Sequence, residues 1–132
     1  MGYEVGVGTG VLTALLLRRG VRRVVATDVN PRALACARDN LTRLQLMDRG
    51  TLVEGDGLAA VSERGEGTME HLCQQQQQQG RADLIVCNPP WLPLAPHSLL
   101  DRGVYDLHSD MLQAFLRYSA DPLFNMPDFL TF

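Results

Sequence analysis

Glu4-Val5-Gly6-Val7-Gly8-Thr9-Gly10 follows a short apolar segment, passes through three alternating glycines and runs into a helical repeat. A strand, a glycine turn and a helix in that order make a tight loop with backbone amides aimed outward. A ligand can come close to the main chain there, at a helix N-terminus. The spacing is G-x-G-x-G, with an acid two residues ahead of the first glycine. A dinucleotide fingerprint needs its third glycine where this chain has Val11. A phosphate loop needs a Gly-Lys-Ser/Thr, which does not follow. Taken alone, the stretch also reads as a plain strand-to-helix turn.

The elements around the loop alternate. Val11 to Arg19 has helical spacing, with Leu12, Leu15 and Leu16 assigned to one face and Gly20 at the C-cap. Arg23 to Thr27 is a short β-branched strand. Asn30-Pro31 starts a second helix, Asn as N-cap and Pro at the first helical position. Its repeat of Leu34, Ala37, Leu41 and Leu44 predicts a helix to about Met47, ended by Gly50. Thr51 to Val53 and Asp83 to Cys87 are further strands. Asp106 to Ser119 is a last helix, with Leu107, Met111, Leu112, Phe115 and Leu116 on one face. This alternation predicts an α/β fold with a parallel sheet. Residues 62–81 interrupt it with a polar, glycine-rich stretch and the run Gln74 to Gln79. They read as a low-complexity surface insertion without a chemical role.

The chain has 132 residues, which fits a single domain spanning 1–132. Its net charge is −3, against a free-standing binder held mainly by nucleic-acid phosphates. The three cysteines, Cys36, Cys73 and Cys87, have neither disulfide-framework nor zinc spacing. That composition predicts a reducing, cytoplasmic setting and no metal site. No apolar run approaches the roughly 18 residues of a membrane span, and no basic leader opens the chain.

Three more constellations stand at predicted strand ends. Asp28 ends the second strand, where an acid can accept the hydroxyl protons of a ribose. It could instead cap the next helix, although Asn30 already fills that place. Asp56-Gly57 ends the third strand; the pair suits an adenine amino group and ring nitrogen, and equally a turn. Asn88-Pro89-Pro90-Trp91 ends the fourth. Two prolines fix the backbone there, so that the Asn side chain and nearby carbonyls become rigid acceptors beside a flat ring. That combination cradles a planar amine. A rigid turn with a core Trp is the plainer alternative.

In this order on four strands, the motifs resemble the class I S-adenosylmethionine-dependent methyltransferases. More narrowly, they resemble the amino-methyltransferases with an Asn/Asp-Pro-Pro-aromatic motif, the release-factor glutamine and small-domain RNA N-methyltransferases. The likeness covers about Glu4 to Leu116. It implies a Rossmann-like sheet, here incomplete, with about four parallel strands in the order third, second, first, fourth and flanking helices. It also implies the cofactor S-adenosyl-L-methionine. Gly6, Gly8 and Gly10 would pass along its methionine and ribose part, and Glu4 would lie near its ammonium through water. Asp28 would hold the ribose hydroxyls; Asp56 and Gly57 would read the adenine. Asn88 and the Pro89 carbonyl would bind the target nitrogen, with Trp91 stacked on the substrate.

The implied activity is N-methyl transfer to an amide or exocyclic amine, on a protein glutamine or a nucleic-acid base. Two other readings stand beside it. One is a non-catalytic, truncated piece of the same fold, which could pair with a partner subunit. The other is a nucleotide-dependent oxidoreductase, which Val11 and the Asn88 to Trp91 motif disfavour.

Overall fold

A computed structural model describes residues 1–57 and 82–119. The expected insertion at 62–81 and the tail beyond Ser119 lie outside the described residues. The described elements run β1 (Gly2–Val5), α1 (Val11–Arg18), β2 (Val24–Asp28), α2 (Pro31–Arg43), β3 (Gly50–Glu54), β4 (Leu84–Cys87) and a closing helix α3 (Asp110–Ser119). A single 3-10 turn at Asp101–Gly103, unforeseen in the sequence, precedes α3. The four strands are parallel and ordered β3-β2-β1-β4, the order the resemblance implies.

Alternation along the strands splits the core between two faces. Tyr3, Val5, Val25 and Ile85 pack with Phe115 of α3, and Met111 joins them. Val24 and Ala26 point the other way. They meet Leu17 of α1 and Leu34, Ala37 and Leu41 of α2. Full burial of a side chain such as Leu17 or Leu41 contributes about 1.5–3 kcal/mol. Helices on both faces of a parallel sheet give a Rossmann-like architecture.

Three boundaries or faces differ from the sequence reading. In α1 the buried pair is Thr13 and Leu17, while Leu15 is 47% exposed. Thr13 can be buried because Glu4 accepts its hydroxyl, so the face that meets the sheet centres on Thr13 and Leu17, and of the expected leucines Leu16 packs against that core while Leu15 does not. The second helix stops at Arg43, short of Met47. Gln45 turns left-handed (φ 58), its N–H donates to the Thr42 carbonyl at 3.0 Å, and the Leu46 N–H donates to that of Leu41 at 2.9 Å. This is a Schellman ending with glutamine where glycine is usual. The last helix starts at Asp110, leaving Leu107 outside it. Asp106 is a cap and not a helical residue: its carboxylate accepts from the Asp110 N–H at 2.8 Å and the Met111 N–H at 2.9 Å. Asn30 caps α2 as expected, accepting from the Arg32 N–H at 3.0 Å with Pro31 at the first position.

Candidate functional site

Chain direction sets where a site can be. The strand order reverses between β1 and β4, so a crevice opens there outside the carboxyl ends of the strands. Val5 faces Cys87 in the ladder and Thr27 on its other side. Gly6 and Asn88, one residue further on, therefore stand together at the switch point. Asp28 faces Glu54, which carries Asp56 and Gly57 to the same edge. The ladder thus brings all four sequence constellations to one end of the sheet.

The glycine loop is held on several sides. The N–H groups of Gly6 and Val7 both donate to the Thr27 carbonyl at 2.9 Å. Gly8 donates its N–H to Asp28 Oδ2 at 3.0 Å, and Asn30 donates to Asp28 Oδ1 at 2.9 Å. These two bonds leave acceptor capacity on a carboxylate with about four lone-pair sites. Asn40 of α2 donates from Nδ2 to the Thr9 carbonyl at 3.0 Å, and Arg43 donates to Asn40 Oδ1 at 2.7 Å.

Two of the glycines answer to different needs. At Gly10 (φ +82) an added Cβ would lie 3.1 Å from Ala37 Cβ and 3.2 Å from its Cα, so the absent side chain lets α2 approach. At Gly8 (φ +52) an added Cβ would meet nothing within 4 Å. That glycine leaves main chain bare toward open space. Over Gly6 sits Met111 of α3, its Cε 2.9 Å from where a Cβ would be.

Glu4 lies beneath the loop, 2% exposed, and accepts the Thr13 hydroxyl. Burial pushes its carboxyl up to about 7 against the lowering effect of Thr13, and the charge of Asp28 adds a smaller rise. Cys87 is pushed up to about 12 by burial and by Glu4, which keeps it a neutral thiol.

At the other side of the crevice Pro90 is buried, Pro89 half-buried and Asn88 exposed. Trp91 is 80% exposed, so it is not a core residue. Leu92 next to it is pinned: its N–H donates to the Val104 carbonyl at 3.2 Å, and its carbonyl accepts from Asp106 at 2.9 Å. Asp106 thereby ties the Asn88 to Trp91 turn to the start of α3. The sequence reading gave Thr13, Asn40 and Arg43 no role, and it placed Asp106 and Met111 in the last helix without a part in the site. All five act on the loop or the turn through tertiary contacts that no local motif signals. Among the described residues no three His, Cys, Asp or Glu side chains gather as metal ligands, and no helix is long and apolar enough to cross a membrane.

Residues 3–100 match a family model described as a methyltransferase domain. A tRNA1(Val) (adenine(37)-N6)-methyltransferase of Shewanella sp. (strain MR-7) is 28% identical over 109 residues, 83% of this chain and 41% of the relative. A release factor glutamine methyltransferase of Moorella thermoacetica is 36% identical over 93 residues, 70% of this chain and 27% of the relative. The chain thus spans less than half the length of these relatives. The crystal structure of the N-terminal domain of human METTL16 shares the fold, with a TM-score of 0.57 at 18% identity, over 90% of this chain and 40% of that one.

Proposed function

The chain belongs to the methyltransferase domain family, and from that premise we propose an S-adenosylmethionine-dependent N-methyltransferase of the Asn-Pro-Pro-aromatic group. Its acceptor would be an amide or exocyclic amine, on a protein glutamine or a nucleic-acid base. The observation that carries this reading is the pairing of Val5 with Cys87, which sets the glycine loop beside Asn88-Pro89-Pro90-Trp91.

The residues present fit the cofactor. Bare main chain at Gly8 borders open space, and the Asp28 carboxylate retains acceptor capacity beside it. Asp56 is exposed at the end of β3, with Gly57 in a left-handed turn (φ +56). Gly6, Gly8 and Gly10 would border the methionine and ribose, Asp28 would take the ribose hydroxyls, and Asp56 and Gly57 the adenine. Glu4 would act toward the ammonium from below, by fixing Thr13 and with it the first turn of α1. When bound, S-adenosylmethionine supplies a methyl group on a cationic sulfonium.

What this chain's own residues do is bind and orient. The Asn88 side-chain oxygen and the Pro89 carbonyl would accept hydrogen bonds from the target N–H groups. Those bonds favour the pyramidal nitrogen, whose lone pair is free to react. The exposed face of Trp91 would hold the planar group. Its proton leaves once the nitrogen is cationic, so no strong general base is required.

The test is transfer of a labelled methyl group to glutamine peptides and to RNA with an unpaired adenine, with Asn88→Ala beside the wild type. We expect incorporation to vanish in the variant while S-adenosylhomocysteine affinity stays within about twofold. Equal losses of rate and affinity would show that Asn88 serves the cofactor instead.

A further inference from the structure

At the opposite edge of the sheet, where the strands begin, residues 49, 23, 1 and 83 stand in a row. They precede the register partners Gly50, Val24, Gly2 and Leu84. The Gly2 N–H donates to the Arg23 carbonyl at 2.9 Å, and the Val24 N–H to that of Arg49 at 3.0 Å. The α1–β2 connection follows the same edge. It brings Arg18, Arg19, Arg22 and Arg23 alongside Arg49, and the first four are exposed. Among the described residues the acids nearby are Asp48 and Asp83. Five arginines against two aspartates leave an excess of three positive charges on a chain of net charge −3. Among the described residues none of these arginine side chains forms a close ion pair, although Arg22 lies near enough to Asp83 to help the Met1 ammonium hold its carboxyl below the usual range. The C-terminal dipole of α1 accounts for Arg18 and Arg19. Arg22 and Arg23 lie beyond the helix, and the dipole does not account for them.

We propose that this arginine edge holds the phosphate backbone of a nucleic-acid substrate. The proposal rests on the methyltransferase reading of the opposite edge. Guanidinium groups bind phosphate oxygens in a fork geometry. A row of five along one edge suits a repeating polyanion better than one phosphate group. Strands of four to five residues separate this edge from Asn88. At about 3.3 Å per residue that is about 15 Å, or about four nucleotides at 3.4 Å each. The substrate is then an oligonucleotide or longer, with its backbone on the arginines and its target base at Asn88.

Fluorescence anisotropy without cofactor tests this. The probes are a labelled RNA hairpin, a DNA hairpin of the same sequence and, as competitor, a polyglutamate peptide. Arg22→Ala/Arg23→Ala should weaken nucleic-acid binding about tenfold at 0.1 M salt, and make the slope of log K against log salt shallower by about two. Arg32→Ala/Arg38→Ala removes the same charge from exposed positions on α2 and should change binding less than twofold. If the first variant does not fold, Arg18→Ala/Arg19→Ala gives the same reading. Preference for one hairpin names RNA or DNA as the source. Equal losses in the two variants, absence of salt-dependent binding, or equal competition by polyglutamate overturns the proposal. Arginine-dependent binding without methyl transfer would instead refute the reading of the Asn88 edge alone.

Discussion

Glu4→Gln removes the one carboxylate that is fully buried among the described residues, beneath the glycine loop. Glu4 is 2% exposed and its carboxyl is raised from 4.5 to about 7, first by burial. The folded chain therefore keeps this proton up to about pH 7, whereas the unfolded chain releases it near 4.5. Stability from this group is fully present below pH 4.5 and is lost as pH rises through about 7. At about 1.4 kcal/mol per pH unit the loss is about 3 kcal/mol. Glutamine has no proton to lose there and can still accept the Thr13 hydroxyl. Urea melts followed by circular dichroism, at half-unit steps from pH 5 to 8, give both stabilities. The difference, variant minus wild type, should rise by about 1 kcal/mol per pH unit up to pH 7 and then level off. A flat difference, or one that falls with pH, would show that Glu4 is not buried as a proton-holding acid.

Other substitutions separate support from contact. Gly10→Ala should destabilise by about 2–3 kcal/mol, since left-handed strain adds to a tight contact with Ala37 Cβ and Cα that α2 must yield to relieve. Gly8→Ala should cost about 1–2 kcal/mol from strain alone and impair ligand binding more; thermal melts showing the reverse order of stability would contradict the packing at Ala37. Asp106→Ala leaves two backbone N–H groups at the start of α3 without their acceptor, and chemical denaturation should show a loss of about 1–2 kcal/mol. Trp91→Ala should leave stability within about 0.5 kcal/mol, because the ring is 80% exposed, and lower methyl transfer at the same time. A large drop in melting temperature would put the ring in the core.

Local chemistry made most of the fold readable. Asn30-Pro31 marks a helix start by capping and by a fixed φ, and both operate as the residue types imply. The apolar run of β4 and the glycine loop after β1 locate the two strands that meet at the switch point, and the β-branched run of β2 locates the neighbour of β1. The misreadings arose where an unusual residue filled a capping place or a tertiary partner buried a polar side chain. Gln45 adopts the left-handed turn that glycine normally marks, held by Leu46 packing on Leu41. Asp106 caps α3 from outside it, past Ser109 in a left-handed conformation (φ 56), so the helix begins later than its carboxylate suggests. Thr13 is buried because of a partner nine residues earlier on β1. The candidate site shows the same division. Its motifs lie in the sequence, while the supports from Asn40, Arg43 and Met111 depend on how α2 and α3 pack.

Calorimetric titration of the protein with S-adenosylhomocysteine, beside NAD, tests the central claim most directly. The account predicts one bound S-adenosylhomocysteine per chain, no heat from NAD, and affinity weakened by about 1–3 kcal/mol in a folded Asp28→Ala variant. Binding of NAD, or an Asp28→Ala variant that binds S-adenosylhomocysteine as tightly as the wild type, would contradict it.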